Sequence, residues 1–117
     1  VDRAKLFIHA GNIARYEYQQ THDIEVIETH HIRLGDIAFT TNPFELFLDY
    51  GNQIRARSYA KQTFIIQLCC GGYGYLPTEK AEKAGHYSAY VSSGAVGHEG
   101  GDLLVRKALE TVNGFFK

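Results

Sequence analysis

Gln62-Thr63-Phe64-Ile65-Ile66-Gln67-Leu68-Cys69-Cys70, followed at once by Gly71-Gly72-Tyr73-Gly74-Tyr75, is the stretch that decides the fold class. Its first nine residues are rich in β-favouring types and nearly continuous in apolar character. That is the composition of a central strand covered on both faces. The glycines that follow allow tight turns. A buried strand ending in a loop that can carry a site is the expectation.

Upstream, Pro43 fits the first turn of a helix, and Phe44, Phe47, Leu48, Gly51 and Ile54 share its apolar face. Gln53, Arg55 and Arg57 fall on the opposite face. Before it, residues 24–34 and 37–41 read as two strands joined by a tight turn at Gly35-Asp36 and stopped by Asn42-Pro43. Residues 3–20 carry loosely helical spacing, weakened by Gly11 and Asn12. Downstream, Thr78 to Lys83 reads as a short polar helical turn and residues 86–98 as loop. A final helix is expected over Gly100 to Phe116, with Leu104, Ala108, Val112 and Phe115 on one face. The order is α-β-β-α-β-loop-α. It predicts an α/β fold in which helices flank a mixed sheet, with sites near strand ends.

Composition narrows the function classes. A chain of 117 residues suits one domain. Twelve Lys and Arg against 13 Asp and Glu leave a formal charge of −1 and no basic stripe, which argues against a nucleic-acid partner. No apolar run reaches the ~18 residues of a membrane span. The only cysteines, Cys69 and Cys70, are neighbours with no distant partner, so no disulfide framework is expected. Within their apolar run they read as buried, reduced thiols. The chain opens at Val1 and has no Met, which reads as a segment of something longer or a processed product.

Three places could carry chemistry. Asn42-Pro43-Phe44-Glu45 sets a carboxylate in the first helical turn at the carboxyl edge of the sheet; the plainer reading is an acid that favours the helix dipole. Tyr73, Tyr75, His86, Tyr87 and Tyr90 crowd the region after the long strand, either as a ligand pocket or as loop-edge packing. Gly94 to Gly101 leads into the last helix and could cradle an anion on free N–H groups, although it lacks the Walker ending. The six histidines make no HExxH pattern, and no metal site can be read from their spacing. His30 and His31 in one strand would point to opposite faces and could not share an ion.

The run Leu34-Gly35-Asp36-Ile37-Ala38-Phe39-Thr40-Thr41-Asn42-Pro43-Phe44-Glu45, with Arg55 and Arg57 beyond it, resembles the late catalytic region of the neutral/alkaline ceramidase family. So does Gly74-Tyr75-Leu76-Pro77-Thr78-Glu79 followed by His86-Tyr87, with the two tyrosines twelve positions apart. The likeness spans roughly residues 24–116. It implies a zinc-dependent amidase that cleaves the N-acyl amide of ceramide or a related lipid. Glu45 and Tyr75 would be zinc ligands, and Tyr87 would be a catalytic residue donating to the developing oxyanion. The family's site also uses two histidines from earlier in a longer catalytic domain, and none here matches them. The resemblance therefore implies a C-terminal piece of that domain whose partner is the missing N-terminal part. The alternative is a non-catalytic α/β module that binds a ligand or partner, exposes an apolar face and dimerises through it.

Overall fold

The computed structural model describes residues 2–117. A helix, α1 (Arg3–Gln19), is followed by two strands, β1 (His31–Leu34) and β2 (Ile37–Thr41). The short strand β3 (Glu45–Leu46), helix α2 (Leu48–Arg57), strand β4 (Gln62–Ile66) and short strand β5 (Tyr75–Leu76) come next. Helix α3 (Glu79–Ala84), two single 3₁₀ turns at Tyr87–Ala89 and Val91–Ser93, and helix α4 (His98–Gly114) complete a mixed α/β fold. The segment 86–98, expected to be loop, holds the two 3₁₀ turns and leads into α4.

β1, β2 and β4 form one sheet in that order, antiparallel then parallel. The tight turn forms at Gly35-Asp36, with Leu34 opposite Ile37. β3 and β5 form a separate parallel pair, Glu45 opposite Tyr75 and Leu46 opposite Leu76. The core lies between the large sheet and α2 and α4, around Phe44, Tyr50, Ile54, Leu76, Leu104 and Ala108.

Several expectations need correction. Strand pairing begins at His31 rather than at residue 24. The helix expected from Pro43 starts at Leu48, so Glu45 lies in a strand and Leu48, 70% exposed, faces solvent. The cause is an Asx turn: Asn42 Oδ1 accepts from the Phe44 N–H at 3.1 Å, while the Asn42 N–H donates to the Ile66 carbonyl at 2.9 Å. The chain is thereby steered out of the large sheet and into the small one before it can turn helical.

The long apolar run forms an edge strand, not a central one, and pairing stops at Ile66. Beyond it Leu68 and Cys70 adopt left-handed backbone (φ 55° and 60°). Such residues cost of order 1–3 kcal/mol each where no glycine relieves them. The break turns Cys69 and Cys70 out of the expected core: Cys69 is half-buried and Cys70 exposed.

Helices cover one face of the large sheet. Ala38, Thr40 and Thr63 are buried on that side. On the opposite face the registers align Ile32, Phe39 and Phe64 across all three strands, beside Leu34 and Ile66. Phe39 and Phe64 stack at 5.0 Å, and Ile32 and Leu34 are 58% and 67% exposed. Among the described residues no layer covers this apolar face.

α1 does not flank the sheet. None of its residues is buried, and its interactions run chiefly to the turn at Val91–Ser93. The Arg15 guanidinium holds it there by donating to the carbonyls of Val91 and Gly94. The outcome is an elongated molecule, with extents of 56 × 29 × 19 Å and a radius of gyration of 16.0 Å. A compact chain of this length would have about 13 Å.

Candidate functional site

The β3–β5 pair builds the site. The Glu45 N–H donates to the Gly74 carbonyl at 2.9 Å and the Phe47 N–H to the Leu76 carbonyl at 3.4 Å. Parallel neighbours in register present their side chains on the same side of the ribbon. The pairing of Glu45 with Tyr75 therefore joins a carboxylate and a phenol that lie 30 positions apart in the chain.

Gly74 makes the approach possible. Its φ is +72°, and a Cβ there would sit 2.3 Å from the Ser93 carbonyl oxygen. It bridges Gly94, which brings the turns at 87–93 alongside β5. Within that stretch the Ser93 hydroxyl donates to the Tyr87 carbonyl. The Tyr87 ring meets Tyr75 edge-on at 5.8 Å, and the two hydroxyls are 3.3 Å apart. Phe47 packs against the other side of Tyr75, also edge-on, at 6.5 Å.

Glu45, Tyr75 and Tyr87 thus form one cluster. Glu45 and Tyr75 are half-buried and Tyr87 is exposed. The hydrogen bond to Tyr87, then the hydrogen bond and negative charge of Glu45, hold the Tyr75 phenol well above its ordinary pKa. Ionising Tyr75 would place a phenolate beside a carboxylate, and only a cation between them would favour that state. The cluster is open to solvent; clefts of 550 and 530 Å³ lie away from it, at Arg57–Asn113 and at Tyr18–Val96.

As a donor set for zinc the cluster is half a shell. It has a carboxylate and a phenol on adjacent strands, with a second phenol in reach, where catalytic zinc sites use three protein ligands plus water. His86 lies beside Tyr87 at 6.4 Å between ring centres, without reaching the carboxylate–phenol pair by any hydrogen bond. The residues fit two positions of such a site, short of the three protein ligands it uses.

The remaining sequence candidates sort differently. Arg55 and Arg57 lie in the last turn of α2, and Arg57 bonds to Gln53 within its own helix. The glycines before α4 do not offer a free anion cradle. Glu82 of α3 already occupies that helix end, accepting from the His98 N–H at 2.8 Å and meeting His98 Nδ1 at 2.6 Å.

Sequence reasoning missed a second cluster. Glu28, His30 and Cys70 offer donor atoms that all lie within 4.8 Å of one another. The i, i+2 spacing of Glu28 and His30 was a usable signal, since both point to one side of an extended chain. The proximity of Cys70 was not legible, because it follows from the break after Ile66. Comparisons with protein-family models, with curated proteins and with solved structures gave no match to this chain.

Proposed function

We propose that this chain carries half of the zinc site of an amidase resembling neutral ceramidase, acting on the N-acyl amide of ceramide or a related lipid. The observation that supports it is the register of Glu45 opposite Tyr75, with Tyr87 closing the cluster. Glu45 and Tyr75 would hold the ion. The chemistry a zinc ion supplies there is an activated water near neutral pH and polarisation of the amide carbonyl.

This chain's own residues have separate tasks. Glu45 brings the negative charge that fixes a cation beside β3. Tyr75 binds through its phenolic oxygen, and Phe47 and Tyr87 hold its ring in place. Tyr87, keeping its ring against Tyr75 but with its hydroxyl released from the Tyr75 hydroxyl, donates its O–H to the oxygen on which charge develops. The two remaining ligands, histidines by the resemblance, come from a segment that packs against the open apolar sheet face. That face suits the task, because a layer laid over it removes Ile32, Leu34 and Phe64 from water.

The test is to supply the histidine-bearing N-terminal region of the catalytic domain and assay N-acyl amide cleavage with and without zinc. Cleavage that depends on zinc, falls by ~10²-fold or more in Glu45→Ala, and drops in kcat by ~10²–10³-fold in Tyr87→Phe is the expected outcome. A folded, zinc-loaded assembly whose activity ignores both substitutions would overturn the proposal. The open sheet face also favours a second reading, a non-catalytic module that binds a partner there. It predicts tight assembly with no zinc-dependent cleavage at all.

A further inference from the structure

We propose that Glu28, His30 and Cys70 form a second cation site, selective for a thiophilic divalent ion of the zinc class, with water completing the shell. It shares no donor with the Glu45–Tyr75–Tyr87 cluster.

The two donor-bearing segments are clamped to successive residues at the end of β2. The Thr41 N–H donates to the His30 carbonyl at 2.9 Å, and the His30 N–H donates to Thr41 Oγ1 at 2.8 Å. The Cys69 N–H donates to the Asn42 carbonyl at 3.0 Å. Residues 28–30 and 69–70 are therefore held in place by the same backbone, although 40 positions separate His30 from Cys70. A site whose ligands sit on fixed backbone loses little entropy on binding.

The donor types point to one class of ion. Imidazole, carboxylate and thiol together suit a borderline-soft d¹⁰ cation, whereas magnesium and calcium prefer oxygen alone. His30 Nε2 and Glu28 Oε1 stand 2.6 Å apart, and the Cys69 and Cys70 sulfurs stand 3.7 Å apart without a bond. The His30–Glu28 hydrogen bond must open to admit the ion, which exposed side chains do readily; they are 49% and 64% accessible. Binding displaces the Cys70 thiol proton to solvent; His30 coordinates neutral through Nε2.

The experiment uses the whole chain, stripped of metal and kept reduced with a phosphine. Cobalt(II) chloride is titrated in, followed by zinc chloride. One equivalent of cobalt should give a thiolate-to-cobalt charge-transfer band in the near ultraviolet, and zinc should bleach it. Cys70→Ala and His30→Ala should remove the band and weaken zinc binding by ~10-fold or more, with unchanged circular dichroism, since both positions are exposed. Glu45→Ala and Tyr75→Phe should leave the band intact. Absence of the band in the parent chain, or its survival in Cys70→Ala, would overturn the proposal. So would cobalt absorption that survives Cys70→Ala and is lost in Glu45→Ala, which would assign the ion to the other cluster and leave the amidase reading standing.

Discussion

Tyr50 shows how one side chain fastens three segments. Its ring is buried in the core, and its hydroxyl donates to the Pro77 carbonyl at 2.8 Å and lies 3.3 Å from that of His98. Burial, then the negative charges of nearby acids, raise its pKa far above the tyrosine norm, so it stays a neutral donor. Gly101 makes room for it: a Cβ there would lie 2.2 Å from the Tyr50 ring carbon that bears the hydroxyl. Gly101→Ala should therefore destabilise the fold by ~1–3 kcal/mol, read as a lower urea midpoint. Tyr50→Phe, which loses the hydrogen bonds but relieves part of the clash, should make the double variant less unstable than the two losses added. His98 gives a pH signature. Its hydrogen bond to Glu82 raises its pKa, against a smaller opposing effect of desolvation. Stability from this pair is fully present below the unfolded histidine value of about 6.5 and is lost as pH rises through the elevated folded value. Unfolding midpoints should fall across that window, and Glu82→Gln should flatten the slope. A parent chain with no fall would refute the linkage.

At the scale of elements, short pieces do the positioning. β3 and β5 have two residues each, too few to be stable alone, and they persist because Leu76 is fully buried beneath them and the Gly74–Gly94 bridge braces β5. α1 is held in the opposite way, by polar anchoring with no buried residue. Arg15→Ala should free it: amide exchange over residues 3–19 should rise at least tenfold while α2 and α4 keep their protection. Equal exchange in both proteins would show that the arginine does not hold the helix. Much of this level was readable beforehand. α4 could be found from its apolar spacing, α3 from Thr78 and its charged turn, and the hairpin from Gly35-Asp36. Glu45 was misassigned to a helix because Pro43 serves a helix start and a turn equally well, and the Asx turn of Asn42 chose between them.

For the molecule as a whole, surface is the outstanding quantity. The chain exposes 7968 Å². A compact monomer of 13.1 kDa exposes about 6,400 Å². The excess comes from α1 and the uncovered sheet face, where apolar groups such as Phe7, Ile32 and Leu34 stand in water. Isolated, the chain should bind a hydrophobic dye in its native state and self-associate as concentration rises. Phe64→Lys with Ile32→Thr should reduce both without lowering the unfolding midpoint by more than ~0.5–1 kcal/mol, checked by sedimentation and urea titration. A monomer at all concentrations that binds no dye would contradict this account of the face.

The amino-acid sequence by itself determined the α/β class, a short helix near Thr78–Lys83 and a last helix near Gly100–Phe116 that in fact runs from His98 to Gly114, the hairpin, and the residue types from which a site could be made. These are properties of local spacing and turn chemistry, which act over a few neighbours. Only the tertiary structure decided that the apolar strand lies at an edge, that Glu45 stands opposite Tyr75, and that Cys70 meets Glu28 and His30. Each depends on where the chain leaves one sheet and joins another. That choice is made by backbone hydrogen bonds between residues some ten to thirty positions apart, and no local pattern encodes it.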